Sequence, residues 1–465
     1  MIKNAPTRVP VSDRFSRTAK ILVDSGQATL DDAESVLQSE TIRIVAGAGV
    51  AHSRAAQTAL LTAVNLAARA VGDVPVVIPP NAATASVRTS WFKGERLSDA
   101  VRVLGGHIVP LRPPLGTFPA PTLFIAAQVP PGWRGPCLTV TWQSWVGHVS
   151  ASGERLAEDD AMSLAPVTAA AIAVAESFQC LRGRPEAAYR DVTLDLWSPH
   201  NSGHPDSPGR HAPPAIYAPH SWALIGLGHL GQANAWCVGL LPYVDPGECL
   251  IELIDDDVVD ASNATTGALI HTDSIGVKKT RVVAAALDGI GFDTTVVELR
   301  IDARRIHQPG EPEVALVGVD RPEPRKLLTS LRYPLAVDAG LGTGAVGYTG
   351  ITINSFPGGR DSHAISAWST TPAQFTNVED APDAYRSAVA AGADPCGLLT
   401  LANKSAAAAF VGMTAAALAV SEPLRRLHQA GSLGLISIDL ARPGSVRTVS
   451  AGAHTTLPAH LRLQA

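Results

Sequence analysis

The sequence predicts an α/β protein made of two similar halves, each a mainly parallel or mixed sheet flanked by helices. Three observations predict it. A hydrophobic strand, Trp222 to Ile225, runs into the glycine run Gly226-Leu227-Gly228-His229-Leu230-Gly231; a helix follows, and a second apolar strand, Cys249 to Ile254, ends in Asp255-Asp256-Asp257. A degraded copy of this unit lies upstream, where Thr41 to Ala46 enters Gly47-Ala48-Gly49, an alanine-rich helix covers Ala55 to Ala70, and Val74 to Ile78 is the next strand. The helix Ala406 to Glu422 also echoes Pro166 to Glu176, each a run of small apolar residues closing on Val-Ser-Glu or Val-Ala-Glu. Two Rossmann-like halves in one chain, paired as a pseudo-dimer, account for all three.

The remaining elements are read in order. Ser12 caps a first helix running through Arg17, and Leu30 to Leu37 forms another. Thr122 to Ala127 and Leu138 to Trp142 are strands, and Pro166 to Cys180 is a buried helix. Residues 198–220, rich in Pro, His, Gly and Ser, form a linker or long loop, dividing a 1–197 domain from a 221–465 domain. In the second domain, Gly276-Val277-Lys278-Lys279 opens an amphipathic helix. Val314 to Val319 is a buried strand ending at Asp320, and Pro334 to Ala339 is another. Residues 357–395 are a loop crossing the sheet, Gly434 to Leu440 is one more strand, and the last residues are loose.

Composition narrows the function classes. The chain has 465 residues, 46% of them hydrophobic and 17% charged, enough for ordinary cores. A net charge of −5 gives no electrostatic case for nucleic acid or an anionic membrane. The start, Met1 to Phe15, has no apolar stretch of the signal-peptide kind, and the apolar run Ala406 to Val420 is too short to span a bilayer. The five cysteines form no CxxC, which argues against structural zinc and fits a reducing cytoplasm. His200, His204, His211 and His220 are irregularly spaced and read as solvated loop residues.

The glycine run has the physics of a phosphate site. Glycines let backbone approach a phosphate, the helix N-terminus offers free N–H groups, and an acid about 20 residues on can bind a ribose hydroxyl. Alone, it fits a nicotinamide or flavin oxidoreductase equally well, or a ligand-free turn. Lys279 and Asp320 shift the balance. A lysine and an acid at the same sheet edge suit triphosphate chemistry, the lysine neutralising phosphate and the acid holding Mg2+. Hydride transfer needs neither.

The order GLGxLG, an Asp-x-Asp strand end, Ser262-Asn263, GxxK and a strand-end Asp320 resembles the ubiquitin-activating superfamily. That superfamily includes the bacterial adenylyltransferases of molybdopterin and thiamine biosynthesis. The resemblance covers Trp222 to His428 and extends to an N-terminal Arg14-Phe15-Ser16-Arg17. It implies ATP and Mg2+ as cofactors, an inactive first half and an active second half. Gly226, Gly228 and Gly231 would form the phosphate loop, with Asp255 on the ribose and Asp257 beside it. Asn263 would orient phosphate, Lys279 would contact the triphosphate, Asp320 would hold magnesium, and Arg17 would reach into the ATP site from the other half or from a second copy.

The implied activity is adenylation of the C-terminal carboxylate of a ubiquitin-like protein or peptide, in bacterial conjugation systems that include antiphage operons. A conjugating-enzyme-like partner is a further implication, and a homodimer stays open. Cys396, in Asp394-Pro395-Cys396-Gly397, is either a thioester acceptor, as in thiamine-type relatives, or a small residue capping a helix. Two residues depart from the pattern. Thr266 stands where the superfamily has arginine, a loss Lys278 or Arg281 could offset, and His229 replaces a glycine, narrowing the loop near phosphate. A non-catalytic scaffold that binds nucleotide without turnover is the reading Thr266 keeps open.

Overall fold

The computed structural model describes residues 16–110, 119–204, 206–368, 374–452 and 459–464. The first half builds a seven-stranded sheet from β1 (Arg43–Ala46), β2 (Pro75–Val77), β3 (His107–Ile108), β4 (Thr122–Ile125), β5 (Cys137–Gln143), β6 (Val146–Ser150) and β7 (Val192–Asp195). Its order is β3-β2-β1-β4-β5-β6-β7, with the first five strands parallel and β6 antiparallel to both neighbours.

After the short strand β8 (Tyr217–Pro219), the second half lays down β9 (Ser221–Ile225), β10 (Leu250–Ile254), β11 (Asp293–Val297), β12 (Val314–Val317), β13 (Leu335–Leu341), β14 (Gly350–Phe356), β15 (Leu433–Asp439) and β16 (Arg447–Ser450). The order is β11-β10-β9-β12-β13-β14-β15-β16. Strand for strand, this repeats the first sheet and adds β16 at the edge. In both sheets the strand order reverses beside the first strand, between β1 and β4 and between β9 and β12, which opens a crevice at the carboxyl ends of the strands.

The central strands are fully buried apolar runs, such as Trp222-Ala223-Leu224-Ile225 and Val314-Ala315-Leu316-Val317, as helices on both faces require. One hydrophobic core runs through both halves. At its centre the helices Leu164–Leu181 and Ala409–Leu427 pack together, Phe178 against Phe410 at 5.4 Å between ring centroids. Helix Leu164–Leu181 is long and apolar enough to cross a membrane, yet almost all of it is buried inside the protein. Trp91 of the first half stacks on Trp236 of the second at 5.3 Å and donates its indole N–H to the Trp236 carbonyl at 3.0 Å.

Several local expectations need correcting. The histidine-rich stretch is not all loop, because β8 pairs antiparallel with β17 (His460–Arg462), so the chain end is held as a strand rather than loose. The segment 357–395 carries a helix, Asp383–Ala390, in which only Tyr385 is buried. The helix expected from Ser12 falls largely outside the described residues; within them it runs Ala19–Asp24, with the Ser16 hydroxyl accepting from the Ala19 N–H at 2.9 Å.

Candidate functional site

The crevice beside β9 and β12 opens into a cleft of about 510 Å³. Its floor is the glycine turn. Gly226 has φ +79°, which other residues avoid, and its N–H donates to the Ile254 carbonyl at 2.8 Å. A Cβ on Gly231 would sit 1.9 Å from the Gly226 carbonyl oxygen, so helix His229–Gly239 packs on the strand end only because residue 231 lacks one. Gly228 has open space where its Cβ would be and caps that helix without a side-chain bond. The first helical N–H groups are therefore left for an anion.

Asp255 ties the turn to the next strand end, accepting from the Leu227 N–H at 2.6 Å and the Asp257 N–H at 2.7 Å. Lys279 opens the helix Lys279–Asp288; its side chain is 11% exposed and its ammonium lies 3.0 Å from Asp257. Burial tends to raise the Asp257 pKa, but the Lys279 bond and charge, with Arg300 and Arg321, hold it below the usual carboxylate value. Asp256 pairs with Arg300 at 2.7 Å. Among the described residues, Asp255, Asp256 and Asp257 are the one group of three acids, histidines or cysteines close enough to share a metal, and each already has a partner.

Asp320, just past β12, differs from them. It is exposed in the cleft wall with no partner among the described residues, a hard oxygen donor of the kind Mg2+ prefers. Asn263 is 7% exposed; its side-chain oxygen accepts from the Asp260 N–H at 3.1 Å, and its amide NH2 has no partner among the described residues. Arg17 comes from the chain's own beginning and borders the same cleft, its Nε sealed from solvent without a partner. A second copy of the chain is thus not needed to bring an arginine here.

The cleft brings together Arg17, Gly226, Gly228, His229, Asp255, Asp257, Asn263, Lys279 and Asp320, with Gly231 packed beneath. Cys396 is not in this wall. It is exposed at the start of helix Pro395–Asn403, whose first N–H groups are capped by the Asp394 carboxylate at 3.1 and 2.9 Å. The two cations that could offset the missing arginine at buried Thr266 are each held elsewhere. Lys278 donates to the Asp256 carbonyl, and Arg281 is 68% exposed and paired with Glu298. Lys404 reaches that loop instead, 3.2 Å from the Ser262 hydroxyl.

His229 borders the cleft, but the end of its ring lies against Gly412. A Cβ there would be 2.3 Å from Nε2, which is buried without a partner. Burial first, and the Arg17 charge second, depress its pKa from 6.5 to about 4. The neutral ring is therefore the folded form. Its contribution is full above pH 6.5 and is lost as pH falls toward 4, a ceiling of about 3 kcal/mol. Urea midpoints measured between pH 7 and 4 should fall with this slope, and His229→Gln should flatten it.

Sequence pattern alone does not single out Arg325. It borders the cleft from the short helix Pro322–Lys326, and its Nε and Nη2 hold the fully buried Asp338 at 2.7 and 2.6 Å. Its guanidinium also lies 4.9 Å from the Trp368 ring centroid, and its Nη1 has no partner among the described residues. The signal available was an arginine one helical turn past a strand-end Asp-Arg-Pro.

This arrangement defines a class: an α/β protein whose strand-end crevice sets an uncapped helix N-terminus and cations around a carboxylate that has no partner among the described residues. Family models for a BilD C-terminal domain and a BilD N-terminal domain match residues 218–430 and 41–196. The bacterial E1-like protein BilD of Collimonas sp. (strain OK412) is 37% identical over 417 residues, 89% of this chain and 88% of that one. The chain belongs to the BilD family of bacterial E1-like proteins. Solved structures of E. coli MccB with ATP, and with AMPCPP and MccA, are also similar. They are 15% and 16% identical, cover 68% of this chain and 95% of theirs, and have TM-scores of 0.34, too loose a likeness to carry argument.

Proposed function

We propose that the chain activates the C-terminal carboxylate of a ubiquitin-like protein or peptide by adenylation, with the second half active and the first half a partner that lost its nucleotide residues. The observation that carries this is the meeting of Arg17, the Gly228 turn, Lys279 and Asp320 in one cleft of one chain. The E1-like family supports it. In the first half the matching strand, β2, runs into Pro79 and Pro80 and offers no acid to a ribose.

In this reading the substrate carboxylate attacks the α-phosphorus of ATP; a C–O–P bond forms and pyrophosphate leaves. The glycine turn lets backbone N–H groups approach the phosphates, while Lys279 and Arg17 place positive charge where negative charge accumulates. Asp255 faces the ribose. Asp320 would hold Mg2+, which supplies charge neutralisation on phosphate oxygens. No side chain need form a covalent bond for this step, and transfer to Cys396 or to a conjugating-enzyme-like partner would be a later one.

ATP–pyrophosphate exchange with candidate small proteins ending in glycine tests the proposal, beside thermal-shift titrations with ATP·Mg and with NAD(H). Exchange with one partner and a shift with ATP·Mg are expected. A shift with NAD(H) alone overturns it in favour of an oxidoreductase. ATP binding without exchange for any partner favours the non-catalytic reading that Thr266 suggests.

A further inference from the structure

Arg17, two residues before the helix Ala19–Asp24, is held by the second half as well. Its carbonyl accepts from the Ala407 N–H at 3.2 Å, and the Thr18 hydroxyl donates to the Ala407 carbonyl at 3.3 Å. Ala407 lines the cleft between the helices Pro395–Asn403 and Ala409–Leu427. Three residues beyond Arg17, the Lys20 side chain is 3% exposed, and its ammonium donates to Asp24 at 2.9 Å and to the Tyr385 hydroxyl at 2.7 Å. The Tyr385 hydroxyl in turn donates to Asp24 at 2.8 Å. Tyr385 is fully buried, on the helix Asp383–Ala390 of the crossing segment.

A buried lysine, carboxylate and phenol are costly unless each satisfies the others, and here they do. Burial lowers the Lys20 pKa against the opposing Asp24 charge, and burial and Asp24 raise that of Tyr385. None of the three borders the cleft, so the chemistry there has no direct use for them.

We propose that Lys20, Asp24 and Tyr385 form a latch that fixes Arg17 in the cleft, so that the position of the crossing segment sets how firmly Arg17 holds nucleotide. This rests on the cleft being a nucleotide site. The three are positioning residues acting through Arg17, and anything that shifts the crossing segment, such as a substrate tail laid along it, changes the affinity for ATP.

A double-mutant cycle on the full chain tests this, with the affinity for ATP·Mg read by titration calorimetry in the parent, Arg17→Ala, Tyr385→Phe and the double variant. Tyr385→Phe is expected to weaken binding about fivefold when Arg17 is present and not at all when it is absent, because coupled residues depart from additivity by that order. Asp24→Asn, which keeps the side-chain size, should repeat the pattern. Equal weakening in both backgrounds, or none in either, overturns the latch and leaves the nucleotide site standing. A parent chain that binds no ATP overturns the nucleotide reading, and the latch with it.

Discussion

Lys279→Met is expected to lower ATP–pyrophosphate exchange at least about 100-fold, the loss typical of removing one preorganised donor from developing phosphate charge. The fold should survive, since methionine can follow the partly buried stem and the helix Lys279–Asp288 keeps its other contacts. The lysine is now parked on Asp257 at 3.0 Å, so a triphosphate must draw it away or share it. Asp257→Asn should therefore free the cation and weaken ATP binding far less than Lys279→Met does. Asp320→Asn is a separate case. Exchange should fall by a similar factor, while the Mg2+ concentration for half-maximal rate rises, because the neutral amide is a poorer ligand for a hard cation. Unchanged exchange in Lys279→Met would remove the lysine from the phosphate site.

What was legible in the sequence was what local pattern encodes. Buried strands such as Val314–Val317 announce themselves as unbroken apolar runs, and the turn at Gly226 shows because only glycine suits its φ of +79°. The edge strand β11, Asp293 to Val297, did not show, since it is half exposed and carries no clean apolar stripe. Pairing of β8 with β17 is set by residues more than 200 positions apart, and no window of sequence contains it. The site followed the same rule. Strand-end acids and the glycine turn could be placed because topology gathers strand ends at one edge. The packing of His229 could not, since the room for its ring is made by Gly412 on another helix. Tyr385 was equally out of reach, its partners Lys20 and Asp24 lying at the far end of the chain.

Asp338→Ala is expected to destabilise the second half by about 3–5 kcal/mol, the usual cost of leaving a largely buried charge without its partner. Asp338 is fully buried and Arg325 is 14% exposed, and the carboxylate accepts from both Nε and Nη2 of the guanidinium, whose Nη2 lies where a side chain at Gly340 would sit. The ion pair is not itself a large source of stability, because burial penalises both charges and raises the Asp338 pKa against the pull of Arg325. Replacing both partners, Arg325→Met with Asp338→Leu, should therefore recover most of the lost urea resistance. If the pair were only structural, exchange activity would return with it. Arg325 borders the cleft, its Nη1 has no partner among the described residues, and Trp368 of the crossing segment covers the same guanidinium, which points to use as well as support. The doubly substituted chain should be folded and slow: urea midpoint near the parent, exchange still at least about tenfold down, with the deficit in transition-state stabilisation rather than in the fold.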